Sequence, residues 1–195
     1  MMRFGAHSGR RVEQGKRGLS MNAGLLILRL VAGLGFASHG SQKLFGWFGG
    51  GGISGTGSFF ESIGFRPGTR FALAAGFGEF VGGLLLASGF LGPIGPAMMI
   101  SGMLVAIWTV HRGHGFFAFN NGAEVPVLYI TAGVAVALAG AGVYSIDHTL
   151  TLDSSVPEAV VAVILACGVL AAIAGLAFRH VPDLATQVIV KTTLH

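Results

Sequence analysis

A histidine and a lysine stand four residues apart in FASHGSQKLF, at His39 and Lys43, where a long apolar run closes. A carboxylate, Glu79, lies inside a second apolar run, GFGEFVGGLLL, and His111, His114 and Glu124 flank two others. Imidazole, ammonium and carboxylate groups hold hydrogen bonds and exchange protons, which becomes acid–base work when a reacting group is within reach. In an apolar medium such groups are costly unless paired or neutralised. His39, Lys43, Glu79, His111, His114 and Glu124 are therefore the candidates for ligand binding or proton handling. Each also has a plain structural role to weigh. Glu79 could bridge two helices, His39 could satisfy a core hydrogen bond, and Lys43 could reach up to headgroups. His111 and His114 could sit solvated at a boundary. No metal, flavin or iron–sulfur motif accompanies them.

The surroundings of these residues are too apolar for an ordinary soluble domain. Hydrophobic residues make up 52% of the chain and charged residues 10%, against roughly 25% charged in soluble domains; mean hydropathy is +0.73. The 33 glycines follow no collagen-like period, and small residues in apolar helices are what close packing in lipid uses. The pI near 9.8 reflects scarce acids. Five of the twelve Lys/Arg (Arg3, Arg10, Arg11, Lys16, Arg17) precede Met21. They form a basic arm suited to anionic headgroups rather than to nucleic acid. Cys167 is the single cysteine and lies in an apolar segment. One thiol makes no internal disulfide and there is no C-x-x-C pair, which argues against a disulfide relay; Cys167 reads as a small buried hydrophobe.

Five apolar segments are long enough, at 1.5 Å per residue, to be read as crossings: 24–45, 71–90, 97–110, 125–141 and 156–178. The first is too long for a cleaved signal peptide and reads as a permanent helix. Between the first two, GWFGGGGISGTGSFFESIGFRPGTR has no nucleotide-binding pattern. Its Phe59, Phe60, Ile63 and Phe65 suggest a short interfacial helix. Pro157 falls near the start of the last segment, where proline is tolerated. The expected fold is all-α: a polytopic transmembrane bundle with a four-helix core and a fifth transmembrane helix. Its parts are a basic cytoplasmic arm (1–22), the bundle (23–147), the added helix (156–178) and a polar tail (179–195). The arm places the N-terminus in the cytoplasm and the chain in the plasma membrane.

Antiparallel crossings then gather the candidates. The first helix delivers His39 and Lys43 to its far end, and the second, running back, carries Glu79 about 12 Å along from Phe71. The third ends at His111 and His114, and the fourth begins at Glu124. Positions 32, 36, 39/40 and 43 share one helix face, as do Ala75, Gly76, Glu79, Gly82 and Gly83. Gly33, Gly40, Gly76, Gly82 and Gly83 are the expected packing residues. Glu79 should pair with His39 or Lys43. Arg29, deeper in the first helix, should anchor to headgroups or to a neighbouring carbonyl. Trp47 and Trp108 read as interfacial belt residues, and Asn120 and Asn121 as turn formers.

The segments LLILRLVAGLGFASHGSQKLFGWFGG, GTGSFFESIGF, GEFVGGLLLASGF, VHRGHGFFAFNNGAEVPVLY and GAGVYSID occur in order from Leu25 to Asp147. In this combination the chain resembles the DoxX family of small membrane proteins. The resemblance implies a four-helix membrane bundle. Some relatives are linked to a thiosulfate:quinone oxidoreductase, and an actinobacterial member to a membrane complex handling oxidative and thiol stress. Arg29, His39, Gly40, Lys43, Glu79, Gly82, Gly83, His111 and Glu124 match recurrent positions of the family. Val143 stands where an arginine often precedes the YS-D ending, and the segment from Val156 extends beyond the usual bundle.

The function this implies is a component of a membrane-associated redox complex, quinone-linked or serving thiol and oxidative stress. No intrinsic cofactor is expected; a quinone is the candidate ligand, and the lipid bilayer and soluble redox enzymes are the candidate partners. One alternative is a non-catalytic anchor or assembly factor for such enzymes. A small-molecule transporter is a weaker one, since paired broken helices are missing. Haem ligation by His39 and His111 is set aside because histidines at helix ends are ordinary.

Overall fold

The computed structural model describes residues 5–152 and 156–180, with side chains from residue 18 onward. Seven α-helices account for nearly all of the regular structure described: α1 (Gly5–Phe45), α2 (Gly52–Ser62), α3 (Gly68–Ser88), α4 (Ile94–Ala106), α5 (Glu124–Ala139), α6 (Ile146–Thr149) and α7 (Glu158–Ala177). A wide helical turn over Ile107–His111 prolongs α4. The fold is the all-α membrane bundle expected. The expected basic arm is not separate in backbone terms, because α1 is already helical from Gly5.

Among the described residues, four stretches are long and apolar enough to cross a bilayer: Gly18–Phe45, Gly68–Ser88, Ile94–His111 and Glu158–Ala177. The fourth expected crossing, 125–141, is α5, which has only 16 residues, about 24 Å against a hydrocarbon core of about 30 Å. Both of its ends are tied to the rest of the bundle. At its start the Glu124 amide donates to Phe116 O at 2.8 Å. Beyond its end Ala141 O accepts a hydrogen bond from Arg29.

The architecture follows from two seams. Along the most extensive one, α1 runs against α3. A Cβ on Gly33 would stand 2.6 Å from both Gly83 O and Ala87 N, and one on Gly40 would collide with Phe80 N and Gly76 O. Two levels of this antiparallel pair thus admit no side chain, which lets the backbones touch. α4 packs on α3 and carries α5 and α7 on its other sides, while α5 returns to α1. α1, α3, α4 and α5 form the core, with Phe36, Leu86, Met99 and Val136 buried at its centre, and α7 lies outside on α4. Gly168 meets Ala97 so closely that an added Cβ would be 2.7 Å from Ala97 O.

Chain ends settle the direction of α7. Arg179 Nε donates to Ile63 O at 2.7 Å, and His180 N donates to Gly64 O at 2.8 Å. These carbonyls belong to the α2–α3 connection, at the end of the bundle where α1 stops. The described chain therefore enters at the Arg29 end and leaves at the His39 end; the tail beyond His180 lies outside the described residues. α2 packs on α3 and α1 with Phe59 exposed. Phe65, expected on that interfacial helix, is instead buried beyond its C-terminus against Phe60 and Phe71. Cys167 departs from expectation too. It is exposed, because α7 is buried only through Gly168 and Ala172.

Candidate functional site

Arg29 marks the lower polar layer. It is 1% exposed, and its guanidinium donates to Ala87 O at 3.3 Å, Tyr144 O at 2.7 Å and Ala141 O. Ala87 lies in the last turn of α3 and Ala141 follows α5, so one cation collects carbonyls that helix ends leave unpaired. Of the two anchors expected for Arg29, the structure shows the carbonyl. Nearby, Asp147 accepts from Leu91 N at 3.0 Å and Gly92 N at 2.6 Å. It thereby holds the α3–α4 turn, where Leu91 takes a left-handed φ of 61°. This layer is closed: apart from Arg29 Nε, which has no partner, its groups are spent on backbone.

The upper layer is different. Lys43 Nζ lies 2.6 Å from Glu79 Oε2, so of the two partners expected for Glu79 the structure pairs it with Lys43. Glu79 is 7% exposed. A lone ionised carboxylate there would be costly, and the ammonium offsets that cost. His39 does not bond Glu79. Its Nδ1 lies 3.2 Å from Gln42 Oε1, while Gln42 Nε2 donates to Phe48 O. Because an amide oxygen only accepts, Nδ1 is the donor, and Nε2 is an acceptor whenever the ring carries a single proton. Tyr129 packs edge-on against His39, with centroids 6.1 Å apart.

These residues open on a cavity of about 870 Å³ between α1, α3, α4, α5 and α7, roofed by Phe59, Phe60 and Phe65. Within hydrogen-bond distance, Glu79 Oε1, His39 Nε2 and Tyr129 Oη have no protein partner among the described residues, and Lys43 uses one of its three protons. None of these atoms is sealed: among the described residues, the one buried side-chain polar atom lacking a partner is Arg29 Nε. They are thus accessible polar atoms on residues that line the cavity. It sits at the large end of ordinary ligand pockets, about 300–1,000 Å³, with mostly apolar walls and a few convergent polar groups.

The six sequence candidates divide. His39, Lys43, Glu79 and His111 line the cavity. His111 is partly committed elsewhere, since its Nδ1 donates to Asn121 O at 2.7 Å. His114 and Glu124 are not brought in. His114 is exposed on the α4–α5 loop, and Glu124 Oε2 accepts from Ala118 N at 2.8 Å, which ties that loop to the start of α5. Both were placed by running direction alone, and a loop of a dozen residues turns them outward. Tyr129 was missed. Its signal was one of only two tyrosines in the chain, set within an apolar helix where a hydroxyl needs a reason. Among the glycines, Gly33 and Gly83, and Gly40 and Gly76, face each other across the α1–α3 seam, while an added Cβ on Gly82 would meet Met98. Trp108 is half exposed, with the Arg112 guanidinium 4.0 Å above its ring; Trp47 is exposed. Asn121 takes the left-handed conformation of a turn former. Among the described residues no group of three His, Cys, Asp or Glu side chains could hold a metal ion.

Residues 24–112 match the model of the family described as DoxX. That region carries α1 to α4, the glycine seam, Arg29 and the Lys43–Glu79 pair; Tyr129, Asp147 and α7 lie beyond it. No curated protein and no solved structure matches the chain.

Proposed function

We propose that this chain, whose residues 24–112 match the DoxX family model, is the quinone-binding membrane component of a redox complex. The carrying observation is the cavity, with four unspent polar groups gathered at one place in a largely apolar wall. A quinone, when bound, supplies a carrier that takes up two electrons and two protons. A carbonyl oxygen needs donors, which Tyr129 Oη and the free Lys43 protons provide. A hydroxyl needs acceptors, which Glu79 Oε1 and His39 Nε2 provide. The same pocket can therefore hydrogen-bond the carrier in either state, with Glu79 and His39 as the groups that exchange protons. A soluble redox enzyme is the electron-exchanging partner. The complex sits in the plasma membrane, with the basic arm of α1 on the cytoplasmic side and the His39 end facing out.

Binding of decylubiquinone to the protein in lipid nanodiscs tests this. The wild type should bind, Glu79→Gln and Tyr129→Phe should bind more weakly, and Arg29→Lys should bind as the wild type. Equal affinity in all four, or no binding by any, would overturn the proposal.

A second reading, a non-catalytic anchor for soluble enzymes, draws on one observation. The α4–α5 loop presents Phe116, Phe117 and Phe119, the last 82% exposed, at one end of the bundle. Under that reading, exchanging these three for serine abolishes copurification of a soluble oxidoreductase, while Glu79→Gln leaves it intact.

A further inference from the structure

The cavity has a polar side and an apolar side, and α7 belongs to the second. α4 lines it from Ile94 to His111, about 25 Å of helix. The polar groups sit at one height: a Cβ on Gly102 would lie 4.0 Å from Glu79 Cγ and 3.2 Å from the Phe36 ring, and Phe36 packs on Tyr129. From Gly102 down to Ile94 is about 12 Å. Over that length the wall is Ser101 at the top, then Met98, Ala97 and Ile94 from α4, with Ala171, Gly168, Cys167 and Ile164 from α7.

The lining residues of α7 fall at 164, 167, 168, 171 and 175, one face of a helix. That face is held beside α4 at two points, the Gly168–Ala97 approach and the Arg179–Ile63 hydrogen bond. Below Ser101 the α4 residues that line the cavity are all apolar, so a hydrogen-bonding ring gains little there, whereas each methylene transferred from water is stabilising. A bare ring beside Glu79 would also leave most of an 870 Å³ space unfilled, and unfilled apolar space forfeits contacts.

We propose that α7 walls a tail channel, so that the site takes an amphiphile whose hydrogen-bonding head lies beside Glu79 and Tyr129. Its hydrocarbon chain runs between α4 and α7 toward the Arg29 end. This rests on the quinone reading above and narrows it: the ligand is a tailed molecule, and the element that selects the tail lies outside the family-matched region.

Cys167, exposed and the sole cysteine, reports on the channel directly. The wild-type protein in nanodiscs is treated with a lipophilic maleimide in the presence of decylubiquinone or of duroquinone. Duroquinone is a fully substituted ring with no tail. Binding of each is followed separately by quenching of tryptophan fluorescence. Decylubiquinone should slow Cys167 modification at least fivefold, and duroquinone should bind without slowing it. In Ile164→Trp, which fills the channel, decylubiquinone should bind at least tenfold more weakly while duroquinone affinity holds. If duroquinone binds and decylubiquinone leaves Cys167 as reactive as in the free protein, the channel is refuted and the ring site stands. If duroquinone protects Cys167 equally, the head and tail assignment is refuted. If neither quinone binds, the quinone reading falls and this inference with it.

Discussion

Two buried polar layers, about 15 Å apart along α1, treat charge in opposite ways. At the Arg29 layer a cation meets no carboxylate within hydrogen-bond distance. It bonds three backbone carbonyls and is shut in. At the Glu79 layer one ion pair leaves a carboxylate oxygen, an imidazole nitrogen and a phenol unspent beside an open space. Polar groups inside a membrane protein are expensive in both cases. A sealed arrangement, with only Arg29 Nε left over, repays that expense in stability alone, whereas one open to a cavity keeps capacity for something that arrives later. It is on this contrast that the proposal of the upper layer as the working one rests.

The largest effect should come from the seam that holds the two layers in register. Gly40→Leu forces α1 off α3 against backbone atoms rather than yielding side chains. It should cost about 3 kcal/mol or more, seen as loss of the monodisperse peak in mild detergent. Next, Arg29→Met leaves the carbonyls of Ala87, Ala141 and Tyr144 without their donor. Interhelical hydrogen bonds in membranes average about 0.6 and reach about 1.7 kcal/mol each, so thermal unfolding in detergent should register a loss of about 2–4 kcal/mol. Quinone affinity of the surviving fold should not change. Glu79→Gln should reverse that pattern: about 1 kcal/mol or less in stability, because the amide still accepts from Lys43, with affinity down about tenfold. If Glu79→Gln instead unfolds the protein while Arg29→Met is silent, the two layers have been assigned the wrong way round. Smallest is Tyr129→Phe, which should fall within about 0.5 kcal/mol of wild-type stability. One lost hydrogen bond of about 0.5–1.5 kcal/mol should still weaken quinone about three- to tenfold.

The sequence made the upper layer legible in outline because its logic is one of direction and period. An apolar run with glycines every third or fourth residue and one carboxylate on that face must turn inward, and the partner of Glu79 could be narrowed to His39 or Lys43. Choosing between them was beyond it, since Gln42 one turn away captures the imidazole. Tyr129 stayed hidden because its position depends on which face of α5 meets α1, and α5 is apolar all round. Asp147 belongs to the same class. Its task is fixed by two amides in a turn 55 and 56 residues away, a distance no periodicity spans. His114 and Glu124 were drawn in by their nearness to helix ends and released by the loop between them. α7 was legible as a crossing, and its role as a cavity wall was not, because a helix so uniformly apolar names no preferred neighbour.

The doubled glycine contact between α1 and α3 also governs how the molecule can deform. Two helices touching backbone to backbone at two heights move as one stiff beam, since sliding by even one residue would drive side chains into the places reserved for hydrogen atoms. If the cavity takes guests of different girth, the walls that yield are those outside this beam, α5 and α7, the latter tethered to α4 at Gly168 and to the α2–α3 connection through Arg179.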